Sequence, residues 1–112
     1  MKDYLFLFRG GLDYATASPE EVQQSMVKWK TWIEELTKMN IYNGGERLAR
    51  IGSVIKGSKK QIIDGPYSES KEIIGGYISI KAGDLQKAIE ISKGCPIFNY
   101  DGNVEIREVA KM

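Results

Sequence analysis

The stretch SPEEVQQSMVKWKTWIEELTK constrains the fold more than any other part of the chain. Val22, Met26, Trp29, Ile33 and Leu36 recur at alternating steps of four and three, the spacing that places side chains on one face of an α-helix. Trp32 widens that stripe, while Glu20, Gln24, Lys28, Lys30, Glu34, Glu35 and Lys38 fall on its margins or opposite it. The start is marked as well. Ser18 suits the cap, Pro19 the first position, and Glu21 stands where it closes a capping box. The pattern predicts a helix over about residues 19–39. Such a helix gains most of its stability by laying its apolar stripe on a second layer. Both tryptophans read as part of that buried contact rather than as an aromatic binding box.

The second layer reads as a sheet. Tyr4 to Phe8 is a continuous apolar and aromatic run, the mark of a central strand. After the helix, NIYNGGERL breaks the periodicity through Asn40, Asn43, Gly44 and Gly45 and reads as a loop. Residues 48–56 alternate loosely, KGSKK supplies a turn, and Gln61 to Asp64 returns, which predicts a hairpin. In Gly75 to Lys81, Ile78 and Ile80 fall on one face and Tyr77, Ser79 and Lys81 on the other. Asp84 caps a second helix that places Leu85, Ala88, Ile89 and Ser92 on one side, and Gly94 and Pro96 end it. Val104 to Val109 is the last strand. The order β, α, hairpin, β, α, β is an α+β, ferredoxin-like plan with an expanded hairpin, expected to form a single domain over residues 1–112. Two helices cover only one face of such a sheet. Pairing the bare faces of two copies would bury what one copy leaves exposed, so a homodimer is expected.

Composition narrows the chemistry. Sixteen Lys and Arg oppose fifteen Asp and Glu, a net charge of +1, without the basic stripe of a nucleic-acid binder or the polybasic patch of a membrane-surface protein. No histidine is present, which excludes a Ser-His-Asp triad and a His-based zinc site; no metal or other cofactor is expected. The single cysteine, Cys95, has no partner for an internal disulfide and sits between Gly94 and Pro96, where it reads as a structural thiol. The apolar run near the N-terminus is too short for a signal peptide and ends at Arg9, so a cytoplasmic protein is expected. The segment GSVIKGSK imitates a phosphate loop, but Ser58 precedes Lys59 where the motif needs the reverse, and a hairpin replaces the required strand-loop-helix. Lys56, Lys59 and Lys60 read as a solvated turn.

One segment concentrates functional groups: DGPYSESKEIIGGY, residues 64–77. Gly65 and Pro66 stiffen the turn, which holds Asp64 at a strand end where a carboxylate could act as a general base. Tyr67, Ser68, Glu69, Lys71 and Glu72 add a phenol, a hydroxyl and both signs of charge, a set suited to ligand binding. The same residues also suit a solvated turn with Asp64 bonded to its own backbone, and residue chemistry leaves both readings open.

This segment closely resembles the signature of the YCII-related, or DGPF-domain, family. The matching residues are Asp64, Gly65, Pro66, Glu69, Ser70, Lys71, Glu72, Gly75, Gly76 and Tyr77, with Tyr67 in place of the usual Phe. The first strand, NGGERL, Asp84, Pro96 and GNVEIREV extend the likeness over nearly the whole chain. The resemblance implies a dimeric α+β barrel of ferredoxin-like subunits with a pocket beside the Asp-Gly-Pro-Tyr turn. It does not imply one activity. The wider superfamily includes lactone dehalogenases and haem- or quinol-handling oxygenases, and a His–Asp pair proposed for some members has no His here. Two functional expectations result. One is a small-molecule-binding homodimer, enzymatic or not, with Asp64 as its catalytic candidate. The other is a non-catalytic regulatory or interaction module, since relatives in the family are often associated with bacterial sigma factors, a link that suggests regulation or stress response.

Overall fold

The computed structural model describes residues 1–65 and 73–111, with Asp64 described by its backbone alone. The elements are β1 (Lys2–Arg9), α1 (Pro19–Lys38), β2 (Tyr42–Arg47), β3 (Gly52–Lys56), β4 (Gln61–Gly65), β5 (Ile74–Ala82), α2 (Leu85–Ser92) and β6 (Asn103–Glu108), with a 3-10 turn over Pro96–Tyr100 between the last two. Four strands form an antiparallel sheet in the order β2-β5-β1-β6, while β3 and β4 pair with each other as a separate hairpin. With the hairpin set aside, this is the α+β, ferredoxin-like arrangement: the first and third strands of the plan lie at the centre and the helices share one face.

The alternation of β1 makes the core. Tyr4, Phe6 and Phe8 are buried toward the helices, and each stands opposite a helix-facing residue of β5: Ile80, Ile78 and Gly76. Trp32 and Leu36 of α1, Ala88 of α2, and Cys95 and Ile97 close over them. The capping box at Ser18 forms as the sequence predicts: the Glu21 amide donates to Ser18 Oγ at 3.1 Å and the Ser18 amide to Glu21 Oε1 at 3.2 Å. Asp84 likewise accepts from the Lys87 amide at 2.8 Å.

Two expectations need correction. The stripe of α1 is rotated from the apolar pattern. Ser25 is fully buried and Met26 is half exposed, because the Tyr14 hydroxyl reaches over from the β1–α1 loop to share a 3.1 Å hydrogen bond with Ser25 Oγ. A hydroxyl with a partner can replace an apolar side chain in the interior. On α2, Leu85 is also half exposed, and burial centres on Ala88 and Ser92.

The second correction concerns NIYNGGERL, which forms the edge strand β2 rather than a loop, while β3 begins only at Gly52. Pairing with β5 overrides the weak strand propensity of Asn-Gly-Gly, helped by a bulge between Tyr42 and Gly44. Close approach explains the glycine: a Cβ on Gly45 would lie 2.3 Å from the Tyr77 carbonyl oxygen and 2.8 Å from Ile78 Cα. Gly45→Ala should therefore cost about 1–3 kcal/mol or more, since the obstruction is backbone. Gly83→Ala, where a Cβ meets nothing within 4 Å, should stay within about 0.5 kcal/mol. Urea denaturation of the two variants checks the contrast.

Candidate functional site

The helices do not fill the face they cover. Between the N-terminal half of α1, the Gly10–Ala15 loop, the end of β2 and the start of β5 lies a cavity of about 690 Å³. That volume falls in the range of small-molecule sites. Phe8 and Trp29 form the aromatic floor, packed edge to face with ring centroids 5.0 Å apart and planes at 81°. Trp29 meets Trp32 in the same manner at 5.8 Å and 75°, so the floor is buttressed from the core. Met26 and Ile33 extend the apolar wall along α1.

The polar groups gather toward β2. Arg47 places its guanidinium carbon 4.3 Å from the centroid of the Tyr14 ring, and the Tyr14 hydroxyl is held by buried Ser25. The ring that carries the cation is thus itself fixed. Arg50 adds a second cation to the lining. Burial first, and the Glu46 charge second, raise the Tyr42 phenol above its ordinary value, which keeps it a neutral hydroxyl at neutral pH. Asp13 spends one carboxylate oxygen on the Ala15 amide at 2.9 Å.

Of the candidate site residues, Asp64 stands in β4 with its backbone opposite Ser53. Tyr67, Ser68, Glu69, Lys71 and Glu72 lie outside the described residues. Part of the same motif borders the cavity: Ile73, Gly75, Gly76 and Tyr77 all contribute to the lining. Gly76 leaves room for the neighbouring strand, since a Cβ there would approach the Glu46 carbonyl to 2.9 Å. The sequence pattern does not single out Tyr14, Ser25 or Arg47. Their association spans the β1–α1 loop, α1 and an edge strand, and the one local signal is an unexpected Ser in the middle of an apolar helix stripe.

Chemistry elsewhere is muted. A second depression of about 390 Å³ lies between α1 and the segment Lys93–Asn99, with Cys95 in its lining. Burial pushes the Cys95 thiol up to about 12, in keeping with a structural role. On the opposite sheet face, Arg9 and then Arg107 hold Glu105 below its ordinary value by hydrogen bonding, with Arg9 Nη1 donating at 2.7 Å and Arg107 Nη1 at 3.2 Å. Among the described residues, no three His, Cys, Asp or Glu side chains cluster as metal ligands, and no helix is long and apolar enough to cross a membrane.

With the fold and cavity established, comparison with protein families gives a definite placement. The family model for the YCII-related domain matches residues 14–112, most of the chain. The chain belongs to that family. A search of curated proteins found no match.

The thiol offers a direct check on the burial described above. At pH 8 a group with a pKa of about 12 is ionised to an extent on the order of 1 in 10,000. Cys95 should therefore react with Ellman's reagent at least about 100-fold more slowly in the native protein than in guanidinium. Equal rates would show an accessible, ionisable thiol.

Proposed function

We propose that the protein is a small-molecule-binding homodimer whose ligand occupies the cavity over Phe8 and Trp29. The observation that carries this reading is the wall shared between an aromatic-floored cavity of about 690 Å³ and the Ile73–Tyr77 end of the family motif. A rigid floor, a few convergent polar groups and a largely preformed space are the general attributes of a ligand site. Binding, rather than an assigned reaction, is the function proposed. Cys95 is suppressed as a nucleophile, and the carboxylate shifted by Arg9 faces the other side of the sheet. Asp64 keeps its proposed place as the acid or base candidate should a reaction accompany binding.

The homodimer belongs to the same proposal. The helix-free face carries Leu5, Leu7 and Tyr77, half buried by their neighbours, within a frame of polar and charged residues. The hairpin adds Ile55 and Ile62, opposite one another and 68% and 71% exposed. A two-stranded hairpin is marginal alone, and a second copy would cover both surfaces.

Met26, half exposed at the cavity, offers a means of filling it from the rim. A metabolite thermal-shift screen should yield a ligand that stabilises the native chain, by about 2.7 kcal/mol at 100 times its Kd. Met26→Trp should keep the fold, by circular dichroism, and abolish that shift; an undiminished shift would place the ligand elsewhere. In sedimentation, the native protein should run at twice the 12.6 kDa chain mass and Leu7→Arg at the chain mass. A monomeric native protein at micromolar concentration would refute the dimer while leaving the cavity reading intact.

A further inference from the structure

We propose that the cavity takes an apolar monocarboxylate, with its acid group on Arg47 and its hydrocarbon or aromatic body against Trp29; this rests on the cavity being the binding site. Arg47 lies over the Tyr14 ring with its guanidinium carbon 4.3 Å from the centroid, a contact that engages its charge and needs no N–H acceptor. Among the described residues no carboxylate pairs with it: the ion pairs join Lys2 to Glu108, Arg9 and Arg107 to Glu105, and Lys93 to Glu90. A planar fork held on an aromatic ring is suited to a bidentate carboxylate. The Tyr14–Ser25 hydrogen bond prepares that platform before any ligand arrives, which lowers the ordering cost of binding.

Charge around the cavity also gives the ligand a direction. Strand alternation puts Arg47 on the helix side with Gly45; Glu46, opposite Tyr77, alternates with it along β2 and still borders the cavity. Asp13 is engaged by its own turn. Asp101 closes the 3-10 turn ahead of β6, and β6 is separated from β2 by β5 and β1, three strand spacings or roughly 14 Å. Both cations of the lining, Arg47 and Arg50, therefore lie at or just beyond the end of β2, with Glu46 as the neighbouring carboxylate. A phosphate dianion fits less well, because an apolar floor with so few donors would leave much of its charge unsolvated.

The test compares 4-phenylbutyrate with 4-phenylbutanol by isothermal titration on the full chain, in native protein and in Arg47→Gln. The acid should bind native protein at least about tenfold more tightly than the alcohol, and Arg47→Gln should bring the acid down to the alcohol's affinity without changing the latter. Should that variant unfold, the native protein still decides, because the advantage of the acid should shrink between 0.05 and 0.5 M salt. Acid and alcohol binding alike, or an advantage that survives Arg47→Gln, would overturn the carboxylate assignment and leave the cavity reading standing. Binding of neither probe at millimolar concentration would overturn both.

Discussion

The edge-to-face packing of Phe8, Trp29 and Trp32 is the interaction on which the rest of the structure depends. Phe8 comes from the central strand and the two tryptophans from successive turns of α1, with the Phe8–Trp32 centroids 6.4 Å apart at 71°. Contacts of this kind add about 0.5–1.5 kcal/mol beyond the area they bury. Their larger consequence is geometric. They set where α1 crosses the sheet, and hence which part of the sheet is covered and which is left open.

On the Trp32 side the space is filled by Leu36, Ala88, Cys95 and Ile97. On the Trp29 side the opposing strand residue is Gly76, and the edge strand offers Gly45. Both glycines are required by close backbone approach, so the sheet brings no bulk into the space beneath the first turns of α1. The cavity is thus a product of strand pairing as much as of helix placement. The polar pair Tyr14–Ser25 roofs its edge and supplies the seat for Arg47.

Local rules in the sequence reach far into this fold. The cap at Ser18, the central run Tyr4–Phe8, the alternation of Ile78 and Ile80 and the cap at Asp84 are all specified within a few residues, and each is present in the structure. The edge strand β2 was not legible, because its conformation comes from β5 across the sheet rather than from Asn43, Gly44 and Gly45 themselves. The phase of α1 was only partly legible, since burial of Ser25 depends on Tyr14 from another segment. For the site, Gly75, Gly76 and Tyr77 of the motif border the cavity, whereas Tyr67, Ser68, Glu69, Lys71 and Glu72 lie outside the described residues. Arg47 had no local mark, as a stacked cation is defined by a ring remote in the chain.

The central claim is that the space on the Trp29 side is where this protein meets its ligand. A 1H–15N NMR titration with a hydrophobic carboxylate tests it most directly, because the chain has only two indole N–H groups. The account predicts the larger indole shift at Trp29, accompanied by the amides of Arg47, Gly75 and Gly76, with little change from Lys93 to Phe98. Shifts concentrated at Trp32 and Lys93–Phe98, around the second depression, with Arg47 and Gly75 unmoved, would contradict it.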